Sequence, residues 1–251
     1  MDSLPPPRES LNQAALQSLG ASLVMNALYS PHHPLFFFLF GVLFVFALIV
    51  LFLGIAGAAL REIGLSPIAG ALVIGASLAG SYINIPIAKV PTTHHEIEDE
   101  YIRIFGILYR IPRMPVADGS TIIAINVGGA LIPSLVSIYV MYRYISILPE
   151  AILGIVIVAI VTHIVARPTR GLGIVTPAFV PPITAALMAF LIPSGAPYVI
   201  AYVSGVLGTL IGADLTNLRV IPKLGARIAS IGGAGTFDGV FLSGIIAVLL
   251  A

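Results

Sequence analysis

From Leu35 to Leu60 the chain runs for twenty-six residues without one charged side chain. An α-helix rises about 1.5 Å per residue, so about 20 apolar residues suffice to cross the hydrocarbon core of a bilayer. That run has room in a lipid environment and almost none in a water-soluble domain. The rest of the chain agrees: 58% of its 251 residues are hydrophobic and 9% charged, where a soluble protein carries about 25% charged residues. The class this predicts is an all-α transmembrane protein.

Seven apolar stretches read as spans: Leu35–Leu60, Ser66–Ala88, Ser120–Met141, Ile147–Ala166, Val175–Ile192, Ala196–Leu215 and Ala229–Ala251. Together they predict a seven-helix polytopic bundle. Pro177, Pro181 and Pro182 crowd the start of the fifth, so a broken or re-entrant path is the alternative there. If all seven cross, Arg8, Lys89, Arg103, Arg110, Arg113, Arg167, Arg170, Arg219, Lys223 and Arg227 fall on one side, and only Arg61 and Arg143 on the other. Basic residues favour the cytoplasmic side. The expectation is a multi-pass protein of the plasma membrane, N-terminus cytoplasmic and C-terminus extracytoplasmic.

Residues 1–34 form an N-terminal segment ahead of the transmembrane domain, 35–251. Within it Leu11, Leu16, Leu19, Leu23 and Leu28 recur at near-helical spacing between Glu9 and Tyr29, which suggests a helix lying on the membrane surface. Met1 to Ser10 is Pro-rich with a single Arg and does not read as a cleaved signal peptide. The cytoplasmic loop, about 89–119, contains Tyr101–Ile111, rich in Ile, Tyr and Phe and broken by Gly106. That composition predicts a small β-hairpin. A net charge of +1 with no basic stripe gives no sign of a nucleic-acid partner. The absence of Cys excludes disulfides and thiolate chemistry.

Polar side chains at membrane depth are costly, so each one asks for a reason. Helix six closes on Gly-Ala-Asp-Leu-Thr-Asn with Asp214 and Asn217; helix seven opens on Gly-Gly-Ala-Gly-Thr-Phe-Asp-Gly with Gly235, Thr236 and Asp238. Asp238 alternatively reads as a first-turn acid behind a Thr236 N-cap. Phe237 to Ala251 makes only about 22 Å of helix against a core of about 30 Å, which places Asp238 inside the bilayer. For Asp214 the alternative is an interfacial acid paired with Arg219. The pairs Gly208/Gly212 and Gly235/Gly239 are small-xxx-small patterns that let helices approach closely. If helices six and seven meet there, the two carboxyls come together and one of them keeps a proton.

Asn84, near Pro86 at the end of helix two, and Asn126, ahead of Gly128, Gly129 and Pro133 at the start of helix three, sit at similar depth. They read either as the lining of a cavity or as glue between helices. Helices two and three thus echo six and seven, and with helix four as linker the order suggests a parallel 3+1+3 repeat. His94, His95 and Glu96 beside Glu98, Asp99 and Glu100 read as a solvated acidic loop rather than a metal site, and His163 as interfacial. No cofactor is implied.

The motifs Asn126-Val-Gly-Gly-Ala-Leu-Ile-Pro133, Ile211-Gly-Ala-Asp-Leu215 and Gly232-Gly-Ala-Gly-Thr-Phe-Asp-Gly239 together resemble a widespread prokaryotic family of polytopic membrane proteins catalogued as a domain of unknown function. A looser resemblance is to intramembrane aspartyl proteases of the presenilin and preflagellin-peptidase type, which carry one catalytic Asp on each of two helices. That likeness gives Asp214 and Asp238 the roles of base and acid. Here Ile-Gly-Ala-Asp stands where those enzymes have Gly-x-Gly-Asp, and a Pro-Ala-Leu element after the second Asp is not evident. The expectation is an aspartyl-protease-like enzyme hydrolysing membrane peptides, with Asn84, Asn126, Asn217, Gly235 and Thr236 as substrate-binding residues. The alternatives are a proton- or ion-coupled transporter of a small solute using the same residues, and a membrane subunit without chemistry.

Overall fold

The computed structural model describes residues 12–13, 16–17, 19, 34–91, 100–104, 107–111, 120–169, 173–224, 228–233 and 239–251. Most of Glu9–Tyr29, the group from His94 to Asp99, and Gly235, Thr236 and Asp238 lie outside them. The chain divides into two compact units, Met1–Phe52 and Leu53–Ala251.

Helix α1 (Pro34–Glu62) follows the first apolar run closely. Its residues from Phe36 to Leu51 are nearly all exposed, and Phe36, Phe40 and Phe44 stack along it with ring centroids 6.5 and 6.4 Å apart. A helix that is apolar on every face and exposed on every face is solvated by lipid rather than by water. Helices α2 (Pro67–Gly80), α3 (Ile132–Arg143), α4 (Leu148–Val165), α5 (Val180–Leu191), α6 (Pro197–Val203) and α7 (Gly239–Leu250) complete the helical part. Ser66 caps α2, its Oγ accepting from the Ala69 amide at 3.2 Å, and Pro67 supplies a first helical residue that needs no donor.

Helix α6 does not stop at Val203. It continues as two π-helical turns, Ser204–Gly208 and Leu210–Asp214, and a 3₁₀ turn, Leu215–Asn217. With this extension, three segments are long and apolar enough to cross a membrane: Phe36–Glu62, Ile145–Val165 and Pro197–Asn217. The other four apolar helices are shorter, 10–17 residues each.

The shortfall has a physical cause, and it corrects the all-helical expectation. The ends of spans two, three and seven are strands. β1 (Asn84–Pro91) pairs antiparallel with β4 (Ser120–Asn126), and β4 pairs parallel with β7 (Ile228–Ile231). A short apolar run rich in Ile fits a buried strand as well as a helix, and Pro86 cannot donate inside a helix. The hairpin expected at Tyr101–Ile111 is present, with β2 (Glu100–Ile104) antiparallel to β3 (Ile107–Ile111). A second hairpin, β5 (Arg167–Thr169) with β6 (Gly173–Val175), joins α4 to α5.

The second unit has one apolar core, in which Leu60, Ile63, Val140, Val158, Ile200, Tyr202 and Phe241 are buried. The Tyr202 hydroxyl is enclosed there without a hydrogen-bond partner. An unpaired buried hydroxyl costs about 1–3 kcal/mol. Tyr202→Phe is therefore expected to stabilise the protein by about 1 kcal/mol, read as a raised thermal midpoint in detergent; a lowered midpoint would show that the hydroxyl has work in the fold.

Glycine sets the closest approaches. A Cβ at Gly205 would lie 3.0 Å from the Ser243 carbonyl oxygen and 3.2 Å from Gly244 Cα, so α6 meets α7 at Gly205 and Gly244. Gly208 and Gly212 face the other way. Their nearest neighbours belong to α4: Val158 and Ile155 for Gly208, Ala159 and Thr162 for Gly212. The small-xxx-small pattern thus packs helix six on helix four, not on helix seven, and around Gly239 there is open space.

Candidate functional site

The polar residues of four chain segments converge where the three-stranded sheet meets the helices. β4 ends at Asn126, whose side chain caps the π turn Val127–Leu131 by accepting from the Gly129 amide at 2.7 Å. Its Nδ2 donates to the Ser81 carbonyl at 2.6 Å and to Asn84 Oδ1 at 3.1 Å. Asn84 Oδ1 also accepts a very short hydrogen bond from Ser230 Oγ. One fully buried amide therefore ties the end of α2, the start of β1 and the entry to α3 together, and Asn84 extends the tie to β7.

Close backbone packing surrounds this knot. Ser77 Oγ donates to the Gly128 carbonyl at 2.7 Å. A Cβ at Gly128 would fall on the Ser77 carbonyl oxygen and the Ser81 amide, so only glycine lets α2 cross the π turn there. Gly232, at φ +79, packs on Ala130 in the same way: a Cβ would lie 2.6 Å from the Ala130 nitrogen. With a left-handed φ, this position favours glycine twice over.

Asp214 enters from the other side. Its Oδ2 accepts from the Gly232 amide at 2.8 Å. The helix that ends at Asp214 is thereby joined to the turn after β7, six residues before Asp238. The carboxylate is half-buried. Its backbone is held by side chains that replace lost helical bonds: Asn217 Nδ2 donates to the carbonyls of Ala213 at 2.8 Å and Gly212 at 3.3 Å, and Thr216 Oγ1 to Gly212 at 2.8 Å. π-helical turns recur at functional sites because they widen the helix and free carbonyls, and here two of them precede the carboxylate.

The residues singled out in the sequence therefore fall into two groups. Asn84, Asn126, Asp214 and the Gly232 turn form one connected assembly. Asn217 stands three residues after Asp214, with its amide hydrogens directed to the Gly212 and Ala213 carbonyls. Asn126 is likewise occupied by protein groups, so in this structure it organises the site rather than offering donors to a ligand. The sequence reading missed Ser230. A signal for it existed in the echo of Asn126-Val-Gly-Gly by Ser230-Ile-Gly-Gly. It also missed the contact of Thr209 with Ser243, 3.0 Å apart between α6 and α7, for which the sequence carries no marker.

Residues 78–250 match the model of a family described as a protein of unknown function, DUF1614. No curated protein and no solved structure matches the chain.

Proposed function

This chain belongs to the DUF1614 family, and from its polar assembly we propose an intramembrane aspartyl-protease-like enzyme that hydrolyses peptide bonds of membrane substrates. The observation that carries this reading is the hydrogen bond from the Gly232 amide to Asp214. It draws Asp214 to the root of the short segment that bears Gly235, Thr236 and Asp238. Two acids held close share one proton, so one acts as base on a water molecule and the other as acid toward the leaving amine. Family resemblance to the presenilin type supplies the same assignment.

Beside this carboxylate, β7 is the last strand of its sheet, with β4 as its partner among the described residues. An open strand edge next to an acid suits an extended peptide, whose backbone would add to the sheet and come within reach of Asp214. A small solute makes no use of such an edge. In this reading all seven apolar helices cross the plasma membrane, the short ones lengthened by their strands, with the basic loops and the N-terminus cytoplasmic. The parallel 3+1+3 repeat is part of the same proposal; its support is the parallel pairing of β4 and β7, which lead into α3 and α7.

A proton-coupled transporter is the second reading, favoured by the irregular backbone of helices three and six near their polar ends. One experiment separates the two. The full chain in liposomes is offered a library of transmembrane peptides. Asp214→Asn and Asp238→Asn are each expected to reduce cleavage by at least about a thousandfold, the scale on which acid–base groups contribute. Cleavage unchanged in both variants would overturn the proposal, and proton-coupled solute uptake without cleavage would establish the transporter instead.

A further inference from the structure

His163 stands in the last turn of α4, exposed, and belongs to none of the groups described so far. Its Nδ1 lies 2.8 Å from Thr216 Oγ1. The Thr216 hydroxyl has one proton, and that proton is directed at the Gly212 carbonyl, 2.8 Å away. Toward His163, then, the hydroxyl oxygen can only accept. Nδ1 must carry the hydrogen, which sets the ring as the Nδ1–H tautomer when neutral and leaves Nε2 directed elsewhere.

The consequence reaches Asp214 through two short steps. Asp214 lies between Gly212 and Thr216, in the stretch where the π turn gives way to a 3₁₀ turn and the regular helical ladder is lost. Helix α4 holds this stretch at both ends. Upstream, Gly212 sits against Ala159 and Thr162, where a Cβ would come within 2.8 Å of Thr162 Cβ. Downstream, His163 of α4 hydrogen-bonds to Thr216. Asp214 meets the Gly232 amide from within this turn, between the two points of attachment.

We propose that His163 is a positioning residue for Asp214, locking the turn from Gly212 to Asn217 by donating from Nδ1 to Thr216. Its catalytic consequence rests on the hydrolytic reading above, whereas its structural consequence does not. The donor is what matters, not the charge. Asparagine places its Nδ2 the same number of bonds from Cα as histidine places Nδ1, whereas glutamine reaches the Nε2 position.

Two measurements on the full chain test this. In nitrogen NMR of histidine-labelled protein, neutral His163 is expected as the Nδ1–H tautomer, and Thr216→Val is expected to return it to the Nε2–H form. In the same samples the Gly232 amide reports Asp214. His163→Leu and His163→Gln are expected to move it more than halfway toward its position in Asp214→Ala, and His163→Asn to leave it in place. An unmoved Gly232 amide in His163→Leu, or equal effects of Asn and Gln, would overturn the proposal even if the protein cleaved nothing. With a cleavable peptide, the Leu and Gln variants are expected to lose about ten- to a hundredfold in kcat, as for displacement of a reacting group by about 1 Å, with KM little changed and Asn restoring the rate. Loss of cleavage in the wild type itself would count against the protease and leave the amide result to decide the positioning role.

Discussion

Gly128→Ala is expected to prevent folding. The added methyl group would clash with the Ser77 carbonyl oxygen and the Ser81 amide, backbone atoms of the last turn of α2 and of its C-cap. No rotamer change relieves such a clash; helix and π turn have to separate. Separation also breaks the bond from Ser77 Oγ to the Gly128 carbonyl and the bond from Asn126 to the Ser81 carbonyl. A cost above about 4 kcal/mol follows, in the range of severe core changes. A domain's stability is about 5–15 kcal/mol in all. The measurement is the yield of monodisperse protein after detergent extraction. Gly75→Ala serves as control, since Gly75 lies in the same helix with open space around it, and alanine there favours the helix. Equal yields for the two variants would show that α2 does not cross the turn so closely.

Asn126→Ala comes second in size. Asn126 is fully buried, and its truncation strands the Ser81 carbonyl and the Gly129 amide where water does not reach. Two buried backbone groups without partners cost about 4 kcal/mol between them. The π turn loses its cap at the same time. The effect should spread along the chain of contacts: Asn84 loses the donor that orients it toward Ser230, and β7 loosens. Hydrogen exchange at Ile231 and Gly232 is expected to accelerate well beyond exchange in α4. Protection at those two amides equal to that of the unmutated protein would sink the idea that Asn126 holds β7 in place through Asn84.

How far these features could be seen in the sequence depends on what kind of force shapes each. Helices α1 and α4 were legible to within a few residues because long apolar runs with no Pro beyond the first turn have one solution in lipid. The hairpin at Tyr101–Ile111 was legible from its richness in Ile, Tyr and Phe and the break at Gly106. The strands at Asn84–Pro91, Ser120–Asn126 and Ile228–Ile231 were not, since hydropathy is the same for an apolar strand and an apolar helix. What decides between them is pairing with a segment up to a hundred residues away, and a single chain gives no view of that.

The site divides in a similar way. Asn84, Asn126 and Asp214 stood out because burying a polar group in an apolar chain is costly. Asn126 and Asp214 bond to backbone groups of Ser81, Gly129 and Gly232, which every residue carries and no motif announces, and Asn84 bonds to the side chains of Asn126 and Ser230. The glycines at 208 and 212 were recognised as a packing face, yet sequence spacing does not say which helix uses that face. The π turns are a further case. They lie where α6 packs on α4 on one side and on α7 on the other, contacts that the residues of Ser204–Asp214 do not announce.

The parallel pairing of β4 with β7 has a bearing on how such a protein is made. Ile122 pairs with Ile228 and Ile125 with Ile231, so four helices are synthesised after β4 before its partner strand exists. Closing so long a loop is slow, and it comes late in folding. Until β7 docks, Gly232 has no fixed place and Asp214 lacks the amide that orients it. A nascent chain still threading into the bilayer therefore carries Asp214 without that contact. The Gly232 amide reaches Asp214 only once the turn after β7 has been made, so the carboxylate waits four helices beyond β4 for this partner.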